Sequence, residues 1–355
     1  MDQVFTPIVV QTCEALSRGG RSRALGPTEG QSETLFSLHD PFGLRKAIVP
    51  LFQVLPDGDL QGLGTAFALD PWGSFATADH VVAGIRMRGQ HKRSTNDASM
   101  RVQLPPGEGL VAVLGFGVAF GTIGLPQETM VRVVEGWSPA FDGGNPMTIL
   151  RQGHDLRTID LALLKMQRPG PDLLHNLPIR ARPPSPEPGE LVVAIGFPTI
   201  DAFSGNEEAA RTIVSEGMYA AYGRVTQLFP NGRTNPTPVF EVGAKWPSGM
   251  SGGPVINVHG EVIGLVSTSD TTDGSEVGCA TWLGAFAELP LRAPALDPDN
   301  SDFRRGWAAM RNAPWTLAGV YPVEAEACAA AEKAGEAFVV RYGAWRLGSD
   351  DFMTV

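Results

Sequence analysis

The sequence predicts an all-β fold arranged as two small domains, and three observations carry that expectation. Its 42 glycines and 29 prolines break the chain into short pieces. The apolar runs between them have strand length and are bounded by turn residues. A chain of 355 residues with 43% hydrophobic content can also fill two proper cores.

Taken in order, the elements begin with a short helical stretch at 9–16, followed by a Gly/Ser/Arg-rich segment. Residues 46–55 read as the first strand of the first domain. Gly64-Thr65-Ala66-Phe67 reads as another strand. The apolar run 110–125 covers 16 residues but carries four glycines. It falls short of a membrane span and reads as two strands with tight turns. A proline-rich segment at 182–188 is expected to cross between the domains. Val255-Ile256-Asn257-Val258 reads as a strand, 258–261 as a hairpin turn, and 262–266 as the returning strand. Near the C-terminus, residues 324–336 are alanine-rich and predict a helix. Residues 337–345 alternate apolar and polar and predict a strand.

Chemistry enters with Gly249-Met250-Ser251-Gly252-Gly253-Pro254. A serine between glycines can present an exposed hydroxyl beside unpaired main-chain amides. Two upstream segments, Thr77-Ala78-Asp79-His80-Val81-Val82 and Asp160-Leu161-Ala162-Leu163-Leu164-Lys165, supply a histidine and an aspartate. A serine hydroxyl needs a base to take its proton as it attacks, and a histidine with a pKa near 6.5 suits that work. A buried carboxylate fixes the imidazole tautomer and stabilises the imidazolium. Ser251 is therefore the candidate nucleophile, His80 the general base and acid, and Asp160 its orienter. The Gly249 and Ser251 N–H groups are the candidate oxyanion donors. Asp155, beside His154, is a weaker candidate acid.

The same string also matches the Gly-x-Ser-x-Gly elbow of α/β-hydrolases, whose triads run serine, acid, histidine. After Ser251 the only histidine is His259, with no Asp or Glu before it. That elbow must also open a helix, whereas Pro254 leads into a strand. The elbow reading is excluded.

The order histidine, aspartate, serine resembles that of trypsin-like (chymotrypsin-fold) serine proteases. The resemblance spans residues 45–285. It includes the strand at Gly64, the opening Gly189-Glu190-Leu191-Val192-Val193-Ala194-Ile195-Gly196-Phe197-Pro198, similar to HtrA-type members, and the strand running from Gly260 to Ser267. It implies two six-stranded Greek-key β-barrels of the chymotrypsin type with a small α/β C-terminal extension. The implied division is an N-terminal extension at 1–42, a first barrel at 43–180, a second at 181–290 and the extension at 291–355. The resemblance further implies that Ser267 hydrogen-bonds the triad aspartate and that Ser267, Thr268 and Ser269 bind peptide by strand addition. It places Lys245 at the base of the pocket for the side chain preceding the cut, implying cleavage after Asp or Glu. The other reading pairs Lys245 with Glu241 or Glu276, and leaves Trp246 and Gly278 to shape the pocket. The tail is too short for the PDZ module of HtrA-type proteases. The interval from His80 to Asp160 is unusually long for the family.

Composition bounds the partners. A net charge of −10 and a pI near 5.1 argue against nucleic acid or an anionic membrane as partner. Basic clusters at 18–23, 86–93 and 304–311 read as solvated loop or helix faces. No His/Cys spacing predicts a metal, and no glycine pattern predicts a nucleotide cofactor. The chain opens Met-Asp-Gln-Val-Phe, without a basic region or sustained apolar stretch, so no signal peptide is expected. Three scattered cysteines predict reduced thiols and a cytoplasmic location.

Met250 stands where secreted trypsins carry the aspartate that receives a new N-terminus. Activation by that ion pair is excluded. Either the loop at 248–251 is ordered by substrate or an activating partner, or the enzyme is constitutively active. Three function classes follow: an intracellular serine endopeptidase acting on protein or peptide, a latent or pseudoprotease form needing a regulatory partner, and an ester-cleaving acyl hydrolase.

Overall fold

The computed structural model describes residues 6–354 except 11, 13–22, 28, 30, 33, 39–42, 70–72, 87–89, 94–99, 104–108, 115–116, 120–121, 125–129, 139–158, 168–176, 178–184, 207–208, 211–216, 231–237, 273–274, 287–302 and 347–351. Twelve strands, numbered in chain order, close into two barrels. The first comprises β1 (Ile48–Val54), β2 (Leu60–Ala68), β3 (Ser74–Thr77), β4 (Leu110–Val113), β5 (Met130–Ser138) and β6 (Ala162–Met166). They pair antiparallel in the cyclic order β1-β2-β3-β6-β5-β4.

The second barrel comprises β7 (Leu191–Gly196), β8 (Met218–Phe229), β9 (Val239–Val242), β10 (Pro254–Ile256), β11 (Val262–Thr272) and β12 (Ser275–Trp282). Its cyclic order, β7-β8-β9-β12-β11-β10, repeats that of the first. Closure leaves the six strands of each ring without an unpaired edge over their paired length. This is the chymotrypsin-like fold.

Alternation along β7 shows how the barrels pack. Val192 and Ala194 join the second barrel's interior with Phe240, Val255 and Ile263. Val193 and Ile195 face the other way and join the cluster that also holds Phe52, Phe67 and Phe75 of the first barrel. Successive strand side chains point to opposite faces, so a strand buried on both reads as a continuous apolar run. That is why 191–195 shows no alternation in the sequence.

Four expectations differ from the structure. The helix expected at 9–16 is a strand, Ile8–Val10, paired with Arg23–Leu25; residues 13–16 lie outside the described set. Its β-branched residues favour extended backbone, and the buried Tyr222 hydroxyl holds it, accepting from Ile8 N at 2.6 Å and donating to Leu25 O at 2.7 Å. The first strand starts at Ile48 rather than 46, after a helical turn at Leu44–Ala47. The run 110–125 holds three described strands, β4, Gly117–Ala119 and Thr122–Gly124, where two were expected. The basic cluster at 304–311 lies in a strand. Residues 18–22 of the first basic cluster, residues 182–184 of the proline-rich crossing, His39, His154, Asp155 and His175 lie outside the described residues.

The C-terminal extension forms a four-stranded antiparallel sheet with one helix. Its strands are β13 (Phe303–Asn312), β14 (Trp315–Tyr321), β15 (Val339–Arg346) and β16 (Phe352–Thr354), in the order β14-β13-β15-β16. The helix Glu324–Ala334 lies between β14 and β15 in the chain, close to the expected 324–336. The extension has its own small core around Ala308, Met310 and Phe352. It meets the second barrel where Arg341 Nη2 donates to Glu261 Oε1 at 3.0 Å. No described helix is long and apolar enough to cross a membrane.

Candidate active site

His80 sits in the first turn of helix α1 (Asp79–Arg86), directly after β3 ends. Val81 and Val82 are buried and anchor that helix, leaving the imidazole half exposed. Asp160 precedes β6 and is 8% exposed. Since β3 and β6 are neighbours in the first barrel, two segments 80 positions apart meet side by side.

Asp160 Oδ2 lies 2.9 Å from His80 Nδ1, and its Oδ1 accepts from the His80 main-chain N–H at 3.0 Å. A carboxylate only accepts, so Nδ1 carries the proton and Nε2 is left as the free base. Two hydroxyls from the second barrel complete the grip. Ser267 Oγ donates to Asp160 Oδ2 at 2.5 Å, and Thr281 Oγ1 donates to Asp160 O at 2.9 Å.

Burial pushes the Asp160 carboxyl up, but the His80 hydrogen bond and charge, the Ser267 hydroxyl and the His80 N–H hold it below the ordinary value. For His80, burial works against the imidazolium. The Asp160 hydrogen bond and charge, with the charge of Asp79, outweigh it and raise the imidazole above its usual range.

Ser251 lies in the turn before β10. Its Oγ donates to Ser267 O at 3.2 Å and forms no hydrogen bond with His80. Around it, four successive carbonyls are held. Ser248 O accepts from Thr199 N at 2.6 Å, Met250 O from Gly253 N at 2.9 Å, and Ser251 O from Thr65 N at 2.8 Å. Gly249 O accepts from Thr65 Oγ1 at 2.9 Å. In a trans peptide the N–H points opposite the preceding C=O. Fixing Ser248 O and Met250 O therefore fixes the directions of the Gly249 and Ser251 N–H groups. Neither N–H finds an acceptor among the described residues. Gly249 has φ +90°, and a Cβ there would come within 2.5 Å of Phe197 O, so glycine is required.

Thr65, fully buried on β2, is the residue that sequence reasoning passed over. Its hydroxyl donates to Gly249 O and accepts from Phe197 N at 3.1 Å, tying the Ser251 turn to the first barrel. A hydroxyl at a fully buried strand position was the available signal.

Ser267, Thr268 and Ser269 all lie on β11. There, Thr268 and Ser269 pair with Cys279 and Gly278 of β12. The partner strand on the other side, β10, pairs with residues 262–265, so that among the described residues no strand covers that side of β11 from Ser267 onward. Lys245 departs from the expected pocket floor. Its Nζ pairs with Glu276 Oε1 at 2.7 Å and the side chain is 60% exposed. An ammonium is cheaper in water beside a carboxylate than in an apolar pocket. Trp246, its neighbour, is the buried one and contacts Gly278. Among the described residues, no group of three or more His, Cys, Asp or Glu is placed to hold a metal.

Comparison with known proteins assigns the chain to a family. Residues 64–265, more than half of the chain, match the family model for the trypsin-like peptidase domain. A 138-residue stretch is 32% identical to the "Serine protease Do-like HtrA" of Lactococcus lactis subsp. cremoris, covering 38% of this chain and 31% of that protein. The chain thus spans about a third of the length of the curated relative it matches. Among solved structures, the active form of the Rv3671c protease from M. tuberculosis is 19% identical, with TM-score 0.39, covering 78% of this chain and 96% of that one. Its inactive form is 19% identical, with TM-score 0.36, covering 68% and 86%. At those scores the superpositions are loose, and the fold stands on the strand pairings themselves. By its match over most of both barrels, the chain belongs to the trypsin-like peptidase domain family.

Proposed function

We propose that this protein is a serine endopeptidase whose nucleophile is Ser251. One observation carries the reading: His80 and Asp160 are joined through Nδ1, leaving Nε2 free as a base, beside a turn whose Gly249 and Ser251 N–H groups are directed but unengaged.

In the proposed cycle, Ser251 Oγ rotates from the Ser267 carbonyl toward His80 Nε2. It attacks the scissile carbonyl carbon as Nε2 takes its proton. The oxyanion accepts from the Gly249 and Ser251 N–H groups. Asp160 stabilises the imidazolium, which then protonates the leaving amine as the carbon–nitrogen bond breaks. Water, deprotonated by His80, hydrolyses the acyl-enzyme and returns the serine. The substrate main chain adds to β11 from Ser267 to Ser269, its N–H taking the Ser267 carbonyl that the Ser251 hydroxyl gives up as it rotates. Thr65 acts through the Ser251 turn as a positioning residue.

The fixed carbonyls of Ser248, Gly249, Met250 and Ser251 favour a constitutively formed oxyanion site over one assembled by a partner. A cytoplasmic location, with substrate drawn from unfolded or extended protein segments, fits the reading. Incubation with a denatured protein, followed by mass spectrometry of the fragments, tests it. Fragments are expected with the wild type and none with Ser251→Ala. Intact substrate in both would overturn the proposal.

A further inference from the structure

We infer that Trp246 closes the pocket for the side chain preceding the cut, so that substrates are cleaved after small residues such as glycine, alanine and serine. The inference rests on the proteolytic reading above and adds the substrate class.

Three placements define the gap that side chain would enter. The scissile carbonyl is positioned by the Gly249 and Ser251 N–H groups. The substrate main chain runs along β11 at Ser267 to Ser269. Gly278 of β12 stands opposite Ser269 in the register. A side chain leaving that main chain points between the segment 245–249 and β12.

That gap is filled. A Cβ built on Gly278 would lie 2.4 Å from Trp246 Cδ2, 2.5 Å from Cε3 and 2.8 Å from Cε2. The indole therefore rests flat against the Gly278 backbone, and only glycine permits this approach. Trp246 is 4% exposed and belongs to the same buried cluster of the second barrel as Ala244, Met250 and Val266. It reaches from the nucleophile segment to Gly278 of β12, across the path a long side chain would take. Lys245, next to it, turns outward to Glu276, so no cation waits in the gap for an acidic substrate.

A large or charged residue before the cut would have to displace a ring held on several sides. Discrimination of about 100-fold in kcat/KM between alanine and phenylalanine is expected, at the upper end of what a pocket wall supplies per side-chain change.

The test is a digest of a denatured protein mixture, with every cut sequenced and Ser251→Ala as the blank. Enrichment of Gly, Ala and Ser before the cut is expected for the wild type. In Trp246→Leu, the enrichment should broaden to Val and Leu. Wild-type cuts chiefly after Phe, Leu, Lys, Arg, Asp or Glu would overturn the inference while leaving the peptidase reading intact. No cuts at all would remove both. Should the variant fail to fold, the wild-type profile still decides.

Discussion

The hydroxyl of Ser251 donates to the main-chain carbonyl of Ser267 at 3.2 Å. The same Ser267 sends its own hydroxyl to Asp160. One residue of β11 therefore touches both the nucleophile and the acid, on the edge where substrate would bind. An incoming peptide N–H that takes the Ser267 carbonyl competes with Ser251 for it, and so favours rotation of the hydroxyl toward His80.

Replacing the amide N–H of the residue preceding the cut by an ester oxygen should therefore reduce kcat as well as raise KM. A loss of about 5-fold in kcat/KM is expected, equivalent to one hydrogen bond of about 1 kcal/mol. Steady-state kinetics on a matched peptide and depsipeptide pair checks this. An unchanged kcat would contradict it.

Thr65→Val keeps the shape of the side chain but removes the donor to Gly249 O and the acceptor for Phe197 N. Freed from that anchor, the Gly249–Met250 peptide that links the two oxyanion donors loses a restraint, and the Gly249 and Ser251 N–H groups on either side of it are held less firmly. A fall in kcat of about 10- to 100-fold, with KM within about threefold, is expected from partial loss of one oxyanion donor. Thr65→Ser should restore activity. Equal losses in kcat and in thermal stability, without rescue by serine, would mark Thr65 as structural only.

The raised His80 pKa sets two pH dependences. Activity needs the neutral imidazole, so kcat/KM should rise with pH through a limb lying above the usual histidine value. Asp79→Asn removes one raising charge and should move that limb to lower pH. For stability, a raised folded pKa contributes fully below the unfolded value near 6.5 and is lost as pH rises through the folded pKa. Asp160, whose pKa is lowered, contributes above its ordinary 3.8 and loses that contribution as pH falls through the folded value. Melting of Ser251→Ala across pH 5–9 should show the His80 decline, and it should vanish in the double variant with His80→Ala.

Much of this was legible in the sequence, for physical reasons. His80, Asp160 and Ser251 stand out because proton transfer restricts the residue types, and because Gly249 is forced by φ +90°. The hairpin from Pro254 through Glu261 to Val262 follows from local turn chemistry. What escaped depends on partners distant in sequence. For Lys245 the sequence left two readings open, a pocket floor or a pairing with Glu241 or Glu276, and only the placement of Glu276 on β12 decides for the pairing. The strand Ile8–Val10 is held by Tyr222, 214 positions from Ile8. Strand β13 hides behind Arg304, Arg305 and Gly306, which blur its alternation until β14 and β15 flank it.

Tyr222→Phe should unpin the N-terminal strand. It leaves the buried Ile8 N–H and Leu25 carbonyl without their shared partner, at a cost of about 1–3 kcal/mol. Burial raises the Tyr222 phenol to about 12, only partly offset by the Ile8 N–H. Denaturant unfolding and ultraviolet titration of the tyrosines check the two statements separately.

Arg341→Met tests the junction of the C-terminal sheet. Glu261 is 5% exposed and would keep a buried carboxylate without its guanidinium. A loss of about 3–5 kcal/mol is expected for one partner removed from a buried pair. The double variant with Glu261→Gln should recover part of it.

The most direct measurement of the central claim is labelling of the purified protein by a fluorophosphonate, which reacts only with a serine activated by a base beside an oxyanion site. Rapid labelling of the wild type that disappears in Ser251→Ala, and falls steeply in His80→Ala, is the predicted result. A folded wild type that resists the probe, or labelling that survives in Ser251→Ala, would contradict the account.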